Sequence, residues 1–261
     1  MLNPSPTLKH LLRLAQLAGR EIMDIYETEF DAREKDDLTP VTDADLRAED
    51  VILAGLASTF PDDPVLSEES AASACLLPTT TRFFLVDPLD GTREFIKRRH
   101  EFTVNIALID RGTPVMGVVY APALARMFWG EMGKAAAQAR LQPDGHLPSV
   151  EWQPMQARPR QSGPPRAVAS RSHRDAETDR WLHDAHIRKV TAIGSSLKFC
   201  LLAAGEADVY PRFSRTMEWD TAAGHAVLLA AGGRVATPDG QPLTYGKRAR
   251  GYDNPPFIAS V

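Results

Sequence analysis

Cysteine is nearly absent. The chain of 261 residues carries only Cys75 and Cys200, with no CxxC spacing. Two isolated thiols supply neither a disulfide framework nor a cysteine zinc site, so the default reading is a reducing compartment and two inert thiols. Long apolar runs are missing too. The longest, such as Ala226–Ala231, falls well short of the ~20 residues needed to cross a bilayer. Lys9, His10 and Arg13 interrupt the leucines near the N-terminus, so neither a membrane span nor a signal peptide is expected. There is no excess of positive charge: 30 Lys+Arg stand against 34 Asp+Glu, a formal charge of −4. Such a balance gives no long-range attraction for a nucleic-acid backbone. The basic residues cluster only at Lys97-Arg98-Arg99 and in the arginine-rich stretch 158–174, and Lys97–Arg99 reads as a solvated face. No internal repeat is visible.

What is present is the composition of an ordinary globular protein, 43% hydrophobic and 25% charged. At roughly 100–200 residues per domain the length suits one large domain or two modest ones. From Ser5-Pro6 onward, Leu8, Leu11, Leu12, Ala15, Ala18, Ile22 and Ile25 recur at helical spacing, with Ser5 placed as a cap and Pro6 as a tolerated first-turn residue. The charged segment 29–40 reads as a turn or short hairpin. A second helix is predicted over 43–58, burying Leu46, Ile52, Leu53 and Leu56. Val65-Leu66 and Phe83–Val86 are predicted strands, and both run into acid: Ser67-Glu68-Glu69 and Asp87-Pro88-Leu89-Asp90-Gly91-Thr92. Beyond them the segments 102–108, 114–120 and 126–129 suit an antiparallel meander.

The proline-rich stretch 142–166 marks a linker or surface excursion. It divides the chain into an N-terminal α+β part, residues 1–150, and a C-terminal α/β part, residues 151–261. In the second part, strands at 167–170, 189–193, 207–210 and 233–236 alternate with helices at 174–185, 195–204 and 221–231, which favours a smaller sheet with parallel pairings.

Asp87 and Asp90 end a buried strand, and two carboxylates in a dry setting raise each other's pKa unless a cation resolves the repulsion. Pro88 rigidifies the turn, Gly91 permits a positive-φ bend, and all-oxygen ligands suit Mg²⁺ or Mn²⁺ rather than zinc. By itself Asp-Pro-Leu-Asp-Gly is also ordinary turn composition. Asp45 in Thr42-Asp43-Ala44-Asp45, Glu68, and Asp220 in Trp219-Asp220-Thr221-Ala222-Ala223 add acid at other strand ends and helix starts. Taken singly, Asp220 reads as a helix N-cap and Glu68 as a loop acid.

Together, Ser67-Glu68-Glu69, Asp87-Pro88-Leu89-Asp90-Gly91-Thr92 and Trp219–Ala223 resemble the motifs of the lithium-inhibited, magnesium-dependent phosphatases of the inositol monophosphatase superfamily. They occur in family order and span nearly the whole chain. The segments 91–98, 101–108, 195–200 and 210–213 look most like the bacterial 3'(2'),5'-bisphosphate nucleotidases of that superfamily. Arg93 stands where those enzymes carry lysine, which preserves the charge.

The resemblance implies a layered αβαβα sandwich of the α/β (α+β) class, with the site in a cleft between the two halves. It implies hydrolysis of adenosine 3',5'-bisphosphate to AMP and phosphate, with its sulfonated precursor as a further substrate, in sulfur metabolism. A first Mg²⁺ would be held by Glu68, Asp87 and the Leu89 carbonyl, a second by Asp87, Asp90 and Asp220, and a looser third near Glu68 and Asp45. Thr92 and Asp45 would orient and deprotonate the attacking water, and the Gly91 and Thr92 amides would hold the phosphate. Ser170, His173, Gly194 and Lys198 are the candidate nucleotide contacts, with the first amides of the 195–204 helix free to receive the 5'-phosphate; Arg212 and Arg215 are candidates to neutralise phosphate. The implied partner is a small nucleotide bisphosphate in the cytoplasm, not a nucleic-acid polymer. Attachment to the inner membrane's cytoplasmic face and pairing into a homodimer stay open at this point, as do an inositol or sugar phosphatase with the same metal centre and a non-catalytic nucleotide sensor.

Overall fold

A computed structural model describes residues 2–34, 40–70, 81–158 and 163–261. Cys75 and residues 35–39 of the expected hairpin lie outside the described residues. Helix α1 (Pro6–Tyr26) starts as expected, with the Ser5 hydroxyl accepting from the Leu8 amide at 3.2 Å. Short strands β1 (Ala32–Glu34) and β2 (Pro40–Thr42) pair antiparallel and lead into α2 (Asp43–Thr59).

The buried face of α2 is Ala44, Ala48, Ile52 and Leu56, a four-residue stagger that keeps one stripe inward. Leu46 is 41% exposed and Leu53 only half-buried, which corrects the expected face: Leu46 stands two residues from Ala44, about 200° round the helix. Lys97–Arg99 is also not wholly a solvated face. The Arg98 guanidinium lies 4.5 Å from the Phe30 ring centroid and donates to the Tyr26 and Thr28 carbonyls, tying the end of α1 to the turn that carries it.

The larger sheet runs in chain order through β3 (Val65–Ser67), β4 (Arg82–Asp90), β5 (Thr103–Asp110), β6 (Thr113–Ala121), β7 (Arg126–Glu131), β8 (Ala135–Arg140) and β9 (Gln153–Met155). Only the β3–β4 pairing is parallel. The last strand falls beyond residue 150, so the chain leaves this sheet after Met155. Alternate residues serve two cores. Phe84, Val86, Val104 and Ile106 pack under α1 and α2, whereas Phe83, Leu85, Ala107 and Ile109 face the other way. A strand covered on both sides reads as an unbroken apolar run, which is why Phe83–Val86 shows no alternation.

Against that second face lie α5 (Leu197–Ala203) and α6 (Glu218–Ala230). Helix α6 comes so close that a Cβ on Gly117 of β6 would stand 2.4 Å from the Ala223 carbonyl oxygen, and one on Gly130 of β7 would stand 2.6 Å from Val227 Cα. Beyond the helices comes the smaller sheet, in the order β11 (Lys189–Ile193), β10 (Arg166–Ser170), β12 (Val209–Arg212), β14 (Phe257–Ser260), β13 (Arg234–Ala236). Strand β10 pairs parallel with both neighbours, while β14 joins β12 and β13 antiparallel. Helix α4 (Ala176–Asp184) covers its far face through Leu182, against Ala167 and Val209. The layers therefore run helices, sheet, helices, sheet, helix. No helix among the described residues is long and apolar enough to cross a membrane.

Candidate active site

The pairing of β4 with β5 slips between Asp87, opposite Asn105, and Asp90, opposite Thr103. Such a bulge re-aims side chains at the end of a strand. Pro88 contributes no donor there, and the Leu89 amide caps Asp87 Oδ1 at 3.1 Å. The Leu89 side chain turns into the core under α1 and α2, which leaves its carbonyl as the chemically useful group. Gly91 takes φ 98°, the left-handed region, and opens the short helix α3 (Thr92–Ile96). Thr92 Oγ1 lies 3.2 Å from Asp45 Oδ1 and 3.3 Å from the Leu89 carbonyl oxygen. Asp45 sits in the first turn of α2, almost wholly buried, and its other oxygen accepts from the Thr42 amide and hydroxyl, each at 2.7 Å. It therefore stands behind Thr92.

Strand β3 lies parallel to β4 and delivers Glu68 to the same end, its amide bonded to the Val86 carbonyl at 3.1 Å. From the opposite side, Asp220 occupies the first turn of α6 and accepts from the Met217 amide at 2.8 Å. It is an interior first-turn residue rather than the N-cap. One oxygen each from Glu68, Asp87 and Asp220 lies within 4.8 Å of the others. Asp90 stands beside this trio, with Oδ2 accepting from the Ser196 amide at 2.5 Å and from Asn105 Nδ2 at 3.3 Å.

The electrostatics match this crowding. Burial, then Glu68, Asp90 and Asp220, hold the Asp87 carboxyl well above the usual carboxylate range. Burial and Asp220 raise Asp90 to about 7 although Lys198 opposes them. Burial raises Asp220 as well, against the Met217 amide and Arg212. Several hard oxygen donors with too little positive charge among them fit a divalent cation of the Mg²⁺, Mn²⁺ or Ca²⁺ kind.

The far wall of this cleft, about 820 Å³ in volume, is basic. Lys198 is buried, with Nζ donating to the carbonyls of Ile193 at 3.3 Å and Ser195, and burial pushes its ammonium down to about 8. The Arg212 guanidinium is fixed by the Ser214 and Arg215 carbonyls at 3.1 and 2.9 Å, while the more exposed Arg215 pairs with Asp253. His173 lines the cleft, and burial together with Arg212, Arg93 and Lys198 lowers it to about 4, so its ring is neutral. Ser170 Oγ accepts from the His173 amide at 3.2 Å.

The expected anion site at the start of α5 is not as anticipated. The Gly194 amide donates to Glu101 at 2.8 Å, the Ser196 amide to Asp90, and the Leu197 amide to Ser195 Oγ at 3.4 Å. The Gly194, Ser196 and Leu197 amides are thus engaged within the protein, and the main positive charge of this wall is that of the Lys198 and Arg212 side chains. Sequence reasoning also missed Asn105, Ser196 and Glu101. The available signal was Thr103 and Asn105, polar residues at alternate positions of an otherwise apolar strand, and both are buried. The thiol of Cys200 is buried away from this chemistry, and burial raises its pKa.

Comparison with known proteins gives a consistent picture. The sequence model described as the inositol monophosphatase family matches residues 3–258. The 3'(2'),5'-bisphosphate nucleotidase CysQ of Escherichia coli K12 is 46% identical, over 97% of this chain and 99% of that one. Among solved structures, CysQ from Bacteroides thetaiotaomicron is 39% identical, with a TM-score of 0.82 over 98% of this chain and 97% of that one. An inositol monophosphatase from Anabaena (Nostoc) sp. PCC 7120 is 26% identical, with a TM-score of 0.74 over 97% and 90%.

Proposed function

The chain belongs to the inositol monophosphatase family, and from that premise we propose that it is a metal-dependent phosphomonoesterase acting on adenosine 3',5'-bisphosphate. It releases the 3'-phosphate to leave AMP, and it accepts the sulfonated precursor of that nucleotide as a second substrate. The observation that carries this reading is the cleft itself: clustered carboxylates face a wall of fixed cations, in a chain 46% identical to a bisphosphate nucleotidase over nearly its whole length. A phosphate ester with a second phosphate needs both walls.

Glu68, Asp87, Asp90, Asp220 and the Leu89 carbonyl would hold two or three Mg²⁺ ions. When bound, magnesium neutralises phosphoryl oxygens and the developing charge on the leaving alkoxide. The residues of the chain do the rest. Thr92 Oγ1, fixed between Asp45 and the Leu89 carbonyl, orients the attacking water, and Asp45 receives its proton through the threonine hydroxyl, with Glu68 facing the same water. Gly91 and Thr92 place their amides beside the reacting phosphate. Lys198 and Arg212 neutralise the second phosphate, with Ser170 and His173 flanking the nucleoside. Gly194 acts through the side chain it lacks, since its amide is engaged by Glu101.

The test is a phosphate-release panel over nucleotide bisphosphates, inositol phosphates and fructose 1,6-bisphosphate, with and without Mg²⁺. Adenosine 3',5'-bisphosphate is expected to be turned over with the highest kcat/KM, and only with the metal. A clear preference for inositol 1-phosphate would overturn the substrate assignment, and metal-independent release would overturn the mechanism.

A further inference from the structure

The segment Ile193–Lys198 joins β11 to α5 and carries the buried lysine of the basic wall, yet much of what seats it comes from the opposite half of the molecule. The Glu101 carboxylate, from the turn before β5, accepts from the Gly194 amide at 2.8 Å. It is gripped by the Arg171 fork, Nε to Oε2 at 2.9 Å and an Nη to Oε1 at 2.8 Å. The same guanidinium donates to the Ala192 carbonyl at 2.6 Å, and the Arg171 amide donates to the Ile193 carbonyl at 3.1 Å. A bidentate arginine–carboxylate pair fixes orientation as well as distance.

The contact is also tight. A Cβ on Gly194 would stand 2.6 Å from the Glu101 carbonyl oxygen. The next residue, Ser195, takes φ 50°, a left-handed backbone that a non-glycine residue keeps only where its surroundings over-determine it. Its carbonyl, with that of Ile193, holds Lys198 Nζ.

We infer that Glu101, clasped by Arg171, is a positioning residue that seats the Ile193–Lys198 segment and thereby sets the preference for substrates carrying a second phosphate. The inference deepens the proposed function and rests on Lys198 facing that second phosphate. Glu101 grips the Gly194 end of the segment, whereas the segment's contact with the acidic wall, the Ser196 amide on Asp90, is held separately by the Ser196 hydroxyl on Asn105 and Thr103. With that second anchor kept, loosening the clasp acts on recognition of the remote phosphate more than on the reacting one. A hydrogen bond to a charged group is worth enough that its loss corresponds to about a tenfold change in an affinity.

The experiment compares Glu101→Gln and Arg171→Lys with Glu206→Gln, which breaks another ion pair between the halves, Arg126–Glu206 at 2.6 Å, among residues that do not line the cleft. For Glu101→Gln, KM for adenosine 3',5'-bisphosphate is expected to rise about tenfold with kcat within about twofold, while kinetics on a simple aryl monophosphate stay as in the wild type. Arg171→Lys keeps the charge but loses the fork, and raises the same KM by a smaller factor; Glu206→Gln leaves it unchanged. Calorimetric dissociation constants for AMP, which retains the 5'-phosphate, should follow the same order. An unchanged KM in both clasp variants, an equal loss on the aryl monophosphate, or an equal rise in Glu206→Gln would overturn the inference. If the wild type fails to hydrolyse the bisphosphate, the proposed function falls, and the AMP dissociation constants still decide the clasp.

Discussion

The two walls of the cleft are built by different means. The acidic wall hangs on backbone: Asp87 and Asp90 on a bulged strand end, Glu68 on the strand beside it, Asp45 and Asp220 in the first turns of helices that lie on opposite faces of the large sheet. The basic wall hangs on side-chain reach. Lys198 and Arg212 reach in from a short helix and a strand end, their side chains steadied by carbonyl oxygens, and the neutral His173 ring stands beside them on a loop. Backbone placement holds charges close enough to repel one another, whereas reach keeps cations near an anion without forcing them together. The acidic wall should thus govern whether reaction occurs, and the basic wall should govern which ester is chosen.

The largest effect expected is for Asp220→Asn or Asp87→Asn. Turnover should fall by about three orders of magnitude or more, while the metal-free protein melts at the same or a higher temperature because a buried repulsion has been removed. A matching loss of melting temperature would show that these carboxylates serve the fold instead. Chelation should abolish activity of the wild type reversibly, and adding Mg²⁺ should raise its melting temperature but not that of Asp87→Asn; equal shifts in both proteins would break the assignment.

Next in size, Thr92→Val should lower kcat by about two orders of magnitude with KM and the Mg²⁺-induced melting shift retained. A rise in KM alone would move Thr92 to the recognition side. Lys198→Ala should do the reverse, raising KM for adenosine 3',5'-bisphosphate by about tenfold or more with little effect on a simple monoester.

The smallest effect concerns His173. Its ring gains a proton only near pH 4, so it adds no charge to the basic wall across the neutral range, and the pH profile of KM for His173→Asn between about 5 and 8 should match that of the wild type. An inflection near 6.5 that disappears in the variant would show a protonated histidine on that wall.

The same contrast explains what the sequence disclosed. Backbone-placed acids sit in short contiguous strings, so Asp87–Thr92 and Trp219–Ala223 were legible, as were α1 and strands β3 to β7 of the large sheet. Strands β8 and β9 were not: Ala135–Arg140 has no branched or aromatic residue to announce a strand, and Gln153–Met155 lies within the proline-rich stretch. Strand β14 escaped because four residues after Pro255-Pro256 carry too little pattern. Leu46 misled because hydrophobicity alone does not give helical phase. Glu101 and Asn105 were invisible as site residues because their partners, Gly194 and Ser196, are some ninety positions away in the chain.

The glycines at 117 and 130 carry a consequence for how this enzyme can fail. With no side chain between them and α6, the helix that bears Asp220 rests directly on sheet backbone, like a beam set on bare stone without mortar. One added methyl at residue 117 would act as a wedge under that beam. It would tilt a ligand out of place from the middle of the sandwich, a lesion that no inventory of cleft residues would contain.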